Sequence, residues 1–193
     1  MPQDNIRPIR LLGLSGSLRR ESHNTAVLNT VAENLGEGVS MTLFPLNDLP
    51  LYNQDDDDGK GPAAVLALRR AIADSDGLIV SSPEFNYGIP GVLKNALDWA
   101  SRPYGQSSLI GKPAIIITVS PAFTGGVRAQ SQIQETLEAC MVRVVLRPQV
   151  VIGSSHEKIK EGRLTDAPSL AFALAGVDDL LKEISLLQSA KDR

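Results

Sequence analysis

Residues 114–119 read AIIITV, an uninterrupted apolar and β-branched run. A strand with one solvent-facing side alternates apolar and polar residues, so a continuous run predicts a strand that is covered on both faces. Similar short runs occur before and after it, separated by longer stretches whose apolar residues recur at helical spacing. This alternation predicts βα units that are wound around a parallel sheet.

The positions of these runs define an expected fold. Strands are predicted at residues 9–14, 40–44, 77–81, 113–119 and 144–151. Five strands alternating with five helices match the α/β class, specifically the flavodoxin-like, three-layer, doubly wound sheet of order 2-1-3-4-5. Segments 45–62 and 153–168 are predicted to be irregular. Because no linker-like stretch divides the chain, all 193 residues are expected to form one domain.

The composition limits the kinds of partner that the chain is expected to bind and the compartment in which it is expected. The net charge of −3 favours neither nucleic acid nor an anionic membrane as a partner. The single cysteine, Cys140, cannot form an internal disulfide or a cysteine-based metal cluster. Residues 1–10 do not resemble a signal peptide, and no apolar run approaches the length of a membrane span. A cytoplasmic location is therefore expected.

The junction of the first strand and the first helix, residues 13–24, reads GLSGSLRRESHN. A helix start presents unpaired N–H groups and the positive end of its dipole, both of which favour a phosphate. Ser15, Ser17 and Ser22 can donate hydrogen bonds to phosphate oxygens. Arg19 can add a charge-assisted contact. We interpret this loop as a cradle for a phosphate monoester, with a plain Gly- and Ser-rich helix cap as the alternative.

Two other classes of nucleotide-binding loop do not match these residues. No Gly-Lys-Ser/Thr follows the glycines, as a nucleoside triphosphatase would require. The spacing also departs from the G-x-G-x-x-G pattern of dinucleotide-binding dehydrogenases. A mononucleotide is therefore the expected ligand of the loop.

A second unusual loop, residues 82–91, follows the third predicted strand and reads SPEFNYGIPG. In the expected sheet, strand order reverses between the first and third strands, and ligands bind beyond the strand ends at such a point. Pro83 and Pro90 restrict the backbone, so the loop can offer N–H and C=O groups in the plane of a flat heteroaromatic ring. The alternative is an ordinary loop with Pro90 at a helix start.

Segments 16–24 (GSLRRESHN) and 83–102 (PEFNYGIPGVLKNALDWASR) resemble the NAD(P)H-dependent FMN reductase family, which includes quinone, azo-dye and chromate reductases. The resemblance spans nearly the whole chain and implies FMN as cofactor and NADPH or NADH as co-substrate. It places the FMN phosphate in the first loop and the isoalloxazine ring at the second. The family commonly has tyrosine where this chain has Phe85. The predicted cofactor-binding residues are Ser15, Ser17, Leu18, Arg19, Ser22, His23, Asn24, Pro83, Glu84, Phe85, Asn86 and Ser120.

The resemblance also implies a reaction and partners. Because flavin carries the redox chemistry, no catalytic side chain is predicted. Hydride transfer from NAD(P)H to flavin N5, and then to a quinone, azo, chromate or flavin acceptor at the same face, predicts ping-pong kinetics. Tyr52 and Arg102 are the predicted substrate-binding residues, and a homodimer or homotetramer is expected.

Two other functions remain open at this point. A flavodoxin-type electron carrier would usually be more acidic and would flank the flavin with aromatic loops, whereas aromatic residues make up only 4% of this chain. A flavin reductase that treats FMN as a diffusible substrate would share the features above. The four aspartates at 55–58 lack fixed ligand spacing, so we interpret them as a solvated loop and expect no metal site.

Overall fold

A parallel sheet forms the centre of the computed structural model, which describes residues 7–57 and 61–191. Its first four strands are β1 (Ile9–Ser15), β2 (Val39–Phe44), β3 (Gly77–Ser82) and β4 (Pro113–Val119). They lie in the order β2-β1-β3-β4, and each neighbouring pair is parallel. Every residue of β3 and β4 is buried, including the polar residues Ser81, Ser82 and Thr118. The predicted flavodoxin-like order is confirmed.

The fifth strand position is divided into two pieces. The strand β5 (Arg143–Val144) pairs with the start of β4, and β6 (Val150–Ile152) pairs with its end. Ala114 is opposite Val144 and Ile117 is opposite Val150, so the edge bulges between the two pairs. Pro148 lies in the bulge and has no N–H to donate to a ladder. The prediction of one continuous strand at 144–151 was therefore wrong in its middle.

Helices cover both faces of the sheet. Their bounds are α1 (His23–Glu33), α2 (Ala63–Asp74), α3 (Gly91–Ala100), α4 (Val127–Ala139), α5 (Ser155–Lys158) and α6 (Ala167–Lys191). One core joins α1 and α6 to the sheet through residues such as Val27 and Leu180. A second core joins α2, α3 and α4 to the opposite face through Leu68, Leu93 and Ile133. The molecule thus has the three predicted layers. Across the described ranges, no helix combines the length and the apolar character needed to cross a membrane.

The segment 153–168, predicted to be irregular, contains regular structure. After α5, the strands β7 (Ile159–Lys160) and β8 (Arg163–Leu164) form an antiparallel hairpin. Glu161 and Gly162 both have positive φ, of 50° and 73°, as a two-residue type I′ turn requires. The N–H of Leu164 donates to Thr30 Oγ1 at 3.0 Å, which fixes the hairpin over α1. Two-residue strands are too short to produce a recognisable alternation, so the prediction missed them.

The loop after β2 is held against α3 by polar contacts. Asp57 accepts two hydrogen bonds from Arg69, at 2.9 and 3.1 Å, and Arg69 also donates to the Trp99 carbonyl. Asp55 and Asp56 are exposed in a short 3-10 turn, and Asp58 lies outside the described residues. Within the described part of the chain, no three His, Cys, Asp or Glu side chains group as metal ligands.

Candidate functional site

The loop at residues 16–22 lies on the end of β3, at the point where strand order reverses. The strands β2 and β3 flank β1 on opposite sides. Gly16 N–H donates to the Ser81 carbonyl at 2.8 Å. A Cβ built on Gly16 would lie only 2.6 Å from Ser82 Oγ. The loop approaches β3 this closely because residue 16 has no side chain.

Hydroxyl groups gather at the start of α1. Ser22 is the N-cap residue, and its side chain accepts a hydrogen bond from Thr25 N–H at 3.2 Å. Ser15 Oγ accepts from Thr25 Oγ1 at 3.0 Å and from Ser17 N–H at 3.4 Å. No acidic residue occupies the first turn of α1, so no carboxylate there offsets the positive end of the dipole. This donor set matches the chemistry of a phosphate.

Leu18 and Arg19 form the exposed outer part of the same loop. Among the described residues, the Arg19 guanidinium has no hydrogen-bond or ion-pair partner. Its charge is therefore free to meet an anion above the start of α1.

Asn24 joins the start of α1 to the sheet. Its side chain is buried, with Oδ1 accepting from Ser81 Oγ at 3.1 Å and Nδ2 donating to the Val119 carbonyl at 3.4 Å. Both amide atoms are thus used within the protein. The geometry gives Asn24 a positioning role, since it orients the helix start over the ends of β3 and β4.

His23 connects the loop to the segment after β6. Its Nδ1 lies 2.8 Å from Ser155 Oγ, and Ser155 is fully buried. Burial, followed by the charges of Arg19 and His156, lowers the pKa of His23. The folded state therefore favours the neutral imidazole more than the unfolded state does.

This lowered pKa predicts a pH dependence of stability. Neutral His23 contributes to the free energy of unfolding above the ordinary histidine titration range. This contribution is lost as the pH falls through that range. We expect the free energy of unfolding, measured by urea denaturation between pH 5 and pH 8, to fall on the acid side. The variant His23→Asn keeps a hydrogen-bonding group and should flatten this dependence, whereas His156→Asn should change it less. An unchanged slope in His23→Asn would contradict the assignment.

Glu84, in the loop after β3, caps the start of α4. Its Oε2 accepts from the N–H groups of Arg128 and Ala129, at 2.9 and 3.2 Å. The guanidinium of Arg128 lies 3.6 Å from Oε1. Gly126, with a φ of 93°, brings the chain against Glu84 just before the helix begins. The side chain of Glu84, one of the residues predicted to bind the cofactor, is thus engaged with α4, which leaves the backbone of the loop to face a ligand.

Residues 85–88 form a tight turn at the outer edge of this loop. Phe85 and Gly88 exchange backbone hydrogen bonds of 3.1 and 2.9 Å around Asn86 and Tyr87, whose φ angles are 51° and 65°. Positive φ at both central residues defines a type I′ turn. Gln132 on α4 accepts from Ile89 N–H at 3.1 Å and donates to the Tyr87 carbonyl at 3.3 Å.

The exposed aromatic rings of this turn are therefore held on a fixed backbone. Phe85 is 57% exposed and Tyr87 is 67% exposed. The Arg128 guanidinium lies 4.3 Å from the centre of the Tyr87 ring. At the inner end of the loop, Pro83 is buried.

Ser120, at the end of β4, lies between the first loop and β6. Its N–H donates to the Ile152 carbonyl, its carbonyl accepts from Ser155 N–H, and its Oγ accepts from Ala122 N–H. Because Ser155 also contacts His23, Ser120 is linked to the start of α1 through one residue. The loops after β1, β3 and β4 thus meet at the carboxyl edge of the sheet, as predicted.

Tyr52 and Arg102 lie together beside α3 and belong to none of the loops described above. The Arg102 guanidinium is 5.7 Å from the Tyr52 ring centre, and the Tyr52 ring packs edge-on against Trp99 at 4.8 Å. Tyr52 N–H also donates to Asn95 Oδ1 in the middle of α3 at 2.8 Å, and Arg102 follows the C-terminal end of that helix. Trp99 is fully buried, which confirms the interpretation of this residue as core.

Several residues that build the site were not predicted from the sequence. Gln132 fixes the 85–88 turn, Ser81 orients Asn24, and Ser155 holds His23. Gln132 and Ser155 lie far along the chain from the residues they contact. A single sequence carries no signal for such pairs.

The chain is similar in sequence to a known protein family and to several of its members. The sequence model of a family described as NADPH-dependent FMN reductase matches residues 9–157. The chain is 41% identical over 159 residues to an NAD(P)H-dependent FMN reductase of Pseudomonas aeruginosa, covering 82% of this chain and 85% of that protein. It is 35% identical over 172 residues to a quinone reductase of Pseudomonas putida, covering 89% and 92% of the two chains.

A solved structure has a similar overall fold. The flavoenzyme NAD(P)H:(acceptor) oxidoreductase of Paracoccus denitrificans has a TM-score of 0.81 and 31% sequence identity. The alignment covers 92% of this chain and 97% of that one. The matched family segment, residues 9–157, contains both loops of the carboxyl edge.

Proposed function

This chain belongs to the NADPH-dependent FMN reductase family, and from that membership we propose that it oxidises NAD(P)H and reduces quinones with FMN bound at the carboxyl edge of the sheet. It is a flavin-dependent oxidoreductase. The observation that carries the proposal is the close seating of the 16–22 loop on β3, where a side chain on Gly16 would collide with Ser82.

The residues present fit the phosphate end of FMN. The first-turn N–H groups of α1, the hydroxyls of Ser15, Ser17 and Ser22, and the free guanidinium of Arg19 supply donors and positive charge. A dianionic phosphate is stabilised by this combination. Asn24 and His23 position these donors and do not contact the phosphate themselves, because their side chains form hydrogen bonds within the protein.

The residues of the second loop fit the ring. Glu84 and Gln132 fix the loop to α4, so its backbone N–H and C=O groups can meet the ring edge without rearrangement. When bound, FMN supplies hydride acceptance at N5 and two-electron delivery to an acceptor. The protein binds and orients the ring and, with Phe85 and Tyr87 exposed, leaves space at the edge of the site for a flat substrate.

An anaerobic titration tests the enzymatic function. We expect purified yellow protein, mixed with NADPH under nitrogen, to lose its flavin absorbance near 450 nm within seconds and without a partner reductase. Addition of a quinone should restore the absorbance. Persistent yellow colour would favour a flavodoxin-type carrier, and colourless protein that reduces added FMN would favour a diffusible-flavin reductase.

The order of substrate binding follows from the site. We propose that the nicotinamide and the quinone would use the same face of the bound flavin, so that one leaves before the other binds. Parallel lines in double-reciprocal plots of initial rates support this ping-pong order, whereas intersecting lines contradict it.

We further propose that the chain functions as a homodimer and that Tyr52 and Arg102 reach substrate only in the dimer. Tyr52 is hydrogen-bonded to Asn95 on α3, and Arg102, just beyond the end of that helix, lies over the Tyr52 ring. Close to them in the sequence, Leu51 and Tyr104 are each 84% exposed. A light-scattering mass equal to a single chain would contradict this proposal.

A further inference from the structure

A cleft of about 800 Å³ lies between the 16–22 loop and the loop after β2, and several residues of the cradle form part of its lining. We refer to it as the β2-side cleft. Because β2 is the neighbour of β1, the segments that leave these two strands run side by side. The cleft is lined by Ser15, Ser17, Leu18, Arg19, Arg20, Thr25, Leu43, Phe44, Pro45, Leu46 and Asn47.

The two walls of this cleft differ in chemistry. One wall carries hydroxyl groups and the guanidinium groups of Arg19 and Arg20. The opposite wall, residues 43–46, is made of leucine, phenylalanine and proline, with Asn47 beside it. Among the residues that the structure describes, no carboxylate lines the cleft, so this lining carries a net positive charge. With Arg19 assigned to the FMN phosphate, an apolar wall opposite the remaining cation suits a flat heterocycle that carries a phosphate group.

Arg20 also lines this cleft, and it has no role in the FMN site proposed above. Its side chain is exposed and, within the described residues, has no hydrogen-bond or ion-pair partner. Arg19 lies beside the start of α1, close enough to influence His23, and is assigned above to the FMN phosphate. Arg20 therefore provides a second positive charge for a second anionic group.

We propose that the β2-side cleft binds the adenosine end of NADPH, with Arg20 contacting its 2′-phosphate. This inference rests on the proposed function, because it concerns the nucleotide that this function oxidises. The nicotinamide end then lies over the flavin site on the β3 side of the loop. Since NADH lacks the 2′-phosphate, Arg20 makes the enzyme prefer NADPH.

Binding measurements on the FMN-saturated protein test the proposal without turnover. The probes are 2′,5′-ADP and 5′-AMP, which differ only in the 2′-phosphate. We expect calorimetry to show 2′,5′-ADP binding about ten-fold more tightly, the lower range for one charge-assisted contact. Arg20→Gln should abolish this preference. Arg70→Gln, which removes an exposed arginine on α2, should keep it.

A second variant tests the cleft independently of Arg20. Asn47→Asp places a negative charge on the opposite wall and should weaken 2′,5′-ADP more than 5′-AMP. Kinetics should agree, with Arg20→Gln raising the KM for NADPH about ten-fold and leaving the KM for NADH unchanged. Flavin content should match that of the wild type in both variants.

Two results would overturn the inference. Equal weakening of both probes by Arg20→Gln would mean that the 2′-phosphate binds elsewhere, and loss of FMN from this variant would assign Arg20 to the cofactor instead. Failure of the proposed function has a different signature, because wild-type protein would then oxidise neither nucleotide whatever the probes showed.

Discussion

Arg19→Ala is expected to weaken FMN binding by ten- to a hundred-fold while leaving riboflavin binding nearly unchanged. Loss of a charge-assisted hydrogen bond costs about 1.5–3 kcal/mol, which corresponds to this range in Kd. Riboflavin has no phosphate, so it does not use the contact. Fluorescence quenching titrations of the apoprotein with the two flavins measure both constants.

Matched variants separate charge from hydrogen bonding at this position. Arg19→Lys keeps the positive charge and should recover part of the FMN affinity, although it loses the forked geometry. Ser17→Ala should act in the same direction as Arg19→Ala. If Arg19→Ala weakened riboflavin as much as FMN, the phosphate would have to be bound elsewhere.

Gly16→Ala is expected to reduce FMN affinity by about ten-fold through the backbone of the cradle. The added Cβ would lie 2.6 Å from Ser82 Oγ and 3.1 Å from Ser82 Cβ, so the loop must move away from β3. Overpacking of this kind costs about 1–3 kcal/mol, and here it displaces the donors that hold the phosphate. Titration with FMN and chemical denaturation measure the two effects separately.

Two further variants decide whether the collision is the cause. Ser82→Gly removes the two nearest opposing atoms, Oγ and Cβ, and leaves only the Cα of residue 82, at 3.3 Å. The double variant should therefore regain part of the affinity lost by Gly16→Ala. Gly36→Ala is the control, because a Cβ there meets nothing within 4 Å. Failure of Ser82→Gly to rescue binding would show that the close approach of the loop to β3 does not control the cradle.

Much of the architecture follows from local pattern. Strand β4 is buried on both faces and is apolar except for Thr118, so it is recognisable in isolation. Strand β3 is also fully buried, but only its residues up to Val80 are apolar, and it ends in Ser81 and Ser82. The divided edge at β5 and β6 could not be predicted in the same way. Its apolar residues look like a single strand, and only the register against β4 reveals the extra residues around Pro148.

The positions of the loops that form the candidate site could be predicted from the sequence, but the roles of most of their side chains could not. The positions of the 16–22 and 82–91 loops at one edge of the sheet follow from the alternation of elements and from the order of the strands. The partners of Asn24, Glu84 and His23 depend on tertiary contacts with β3, β4, α4 and α5. A residue type at a loop position predicts that it can bind a ligand, but not that the fold has already engaged it.

The attachment of the 85–88 turn to α4 has an evolutionary consequence. Because Glu84 and Gln132 fix the backbone from behind, the outward-facing rings at positions 85 and 87 carry little of the folding energy. Drift at these two positions can broaden or narrow the range of oxidants that the enzyme accepts, while the scaffold beneath stays intact.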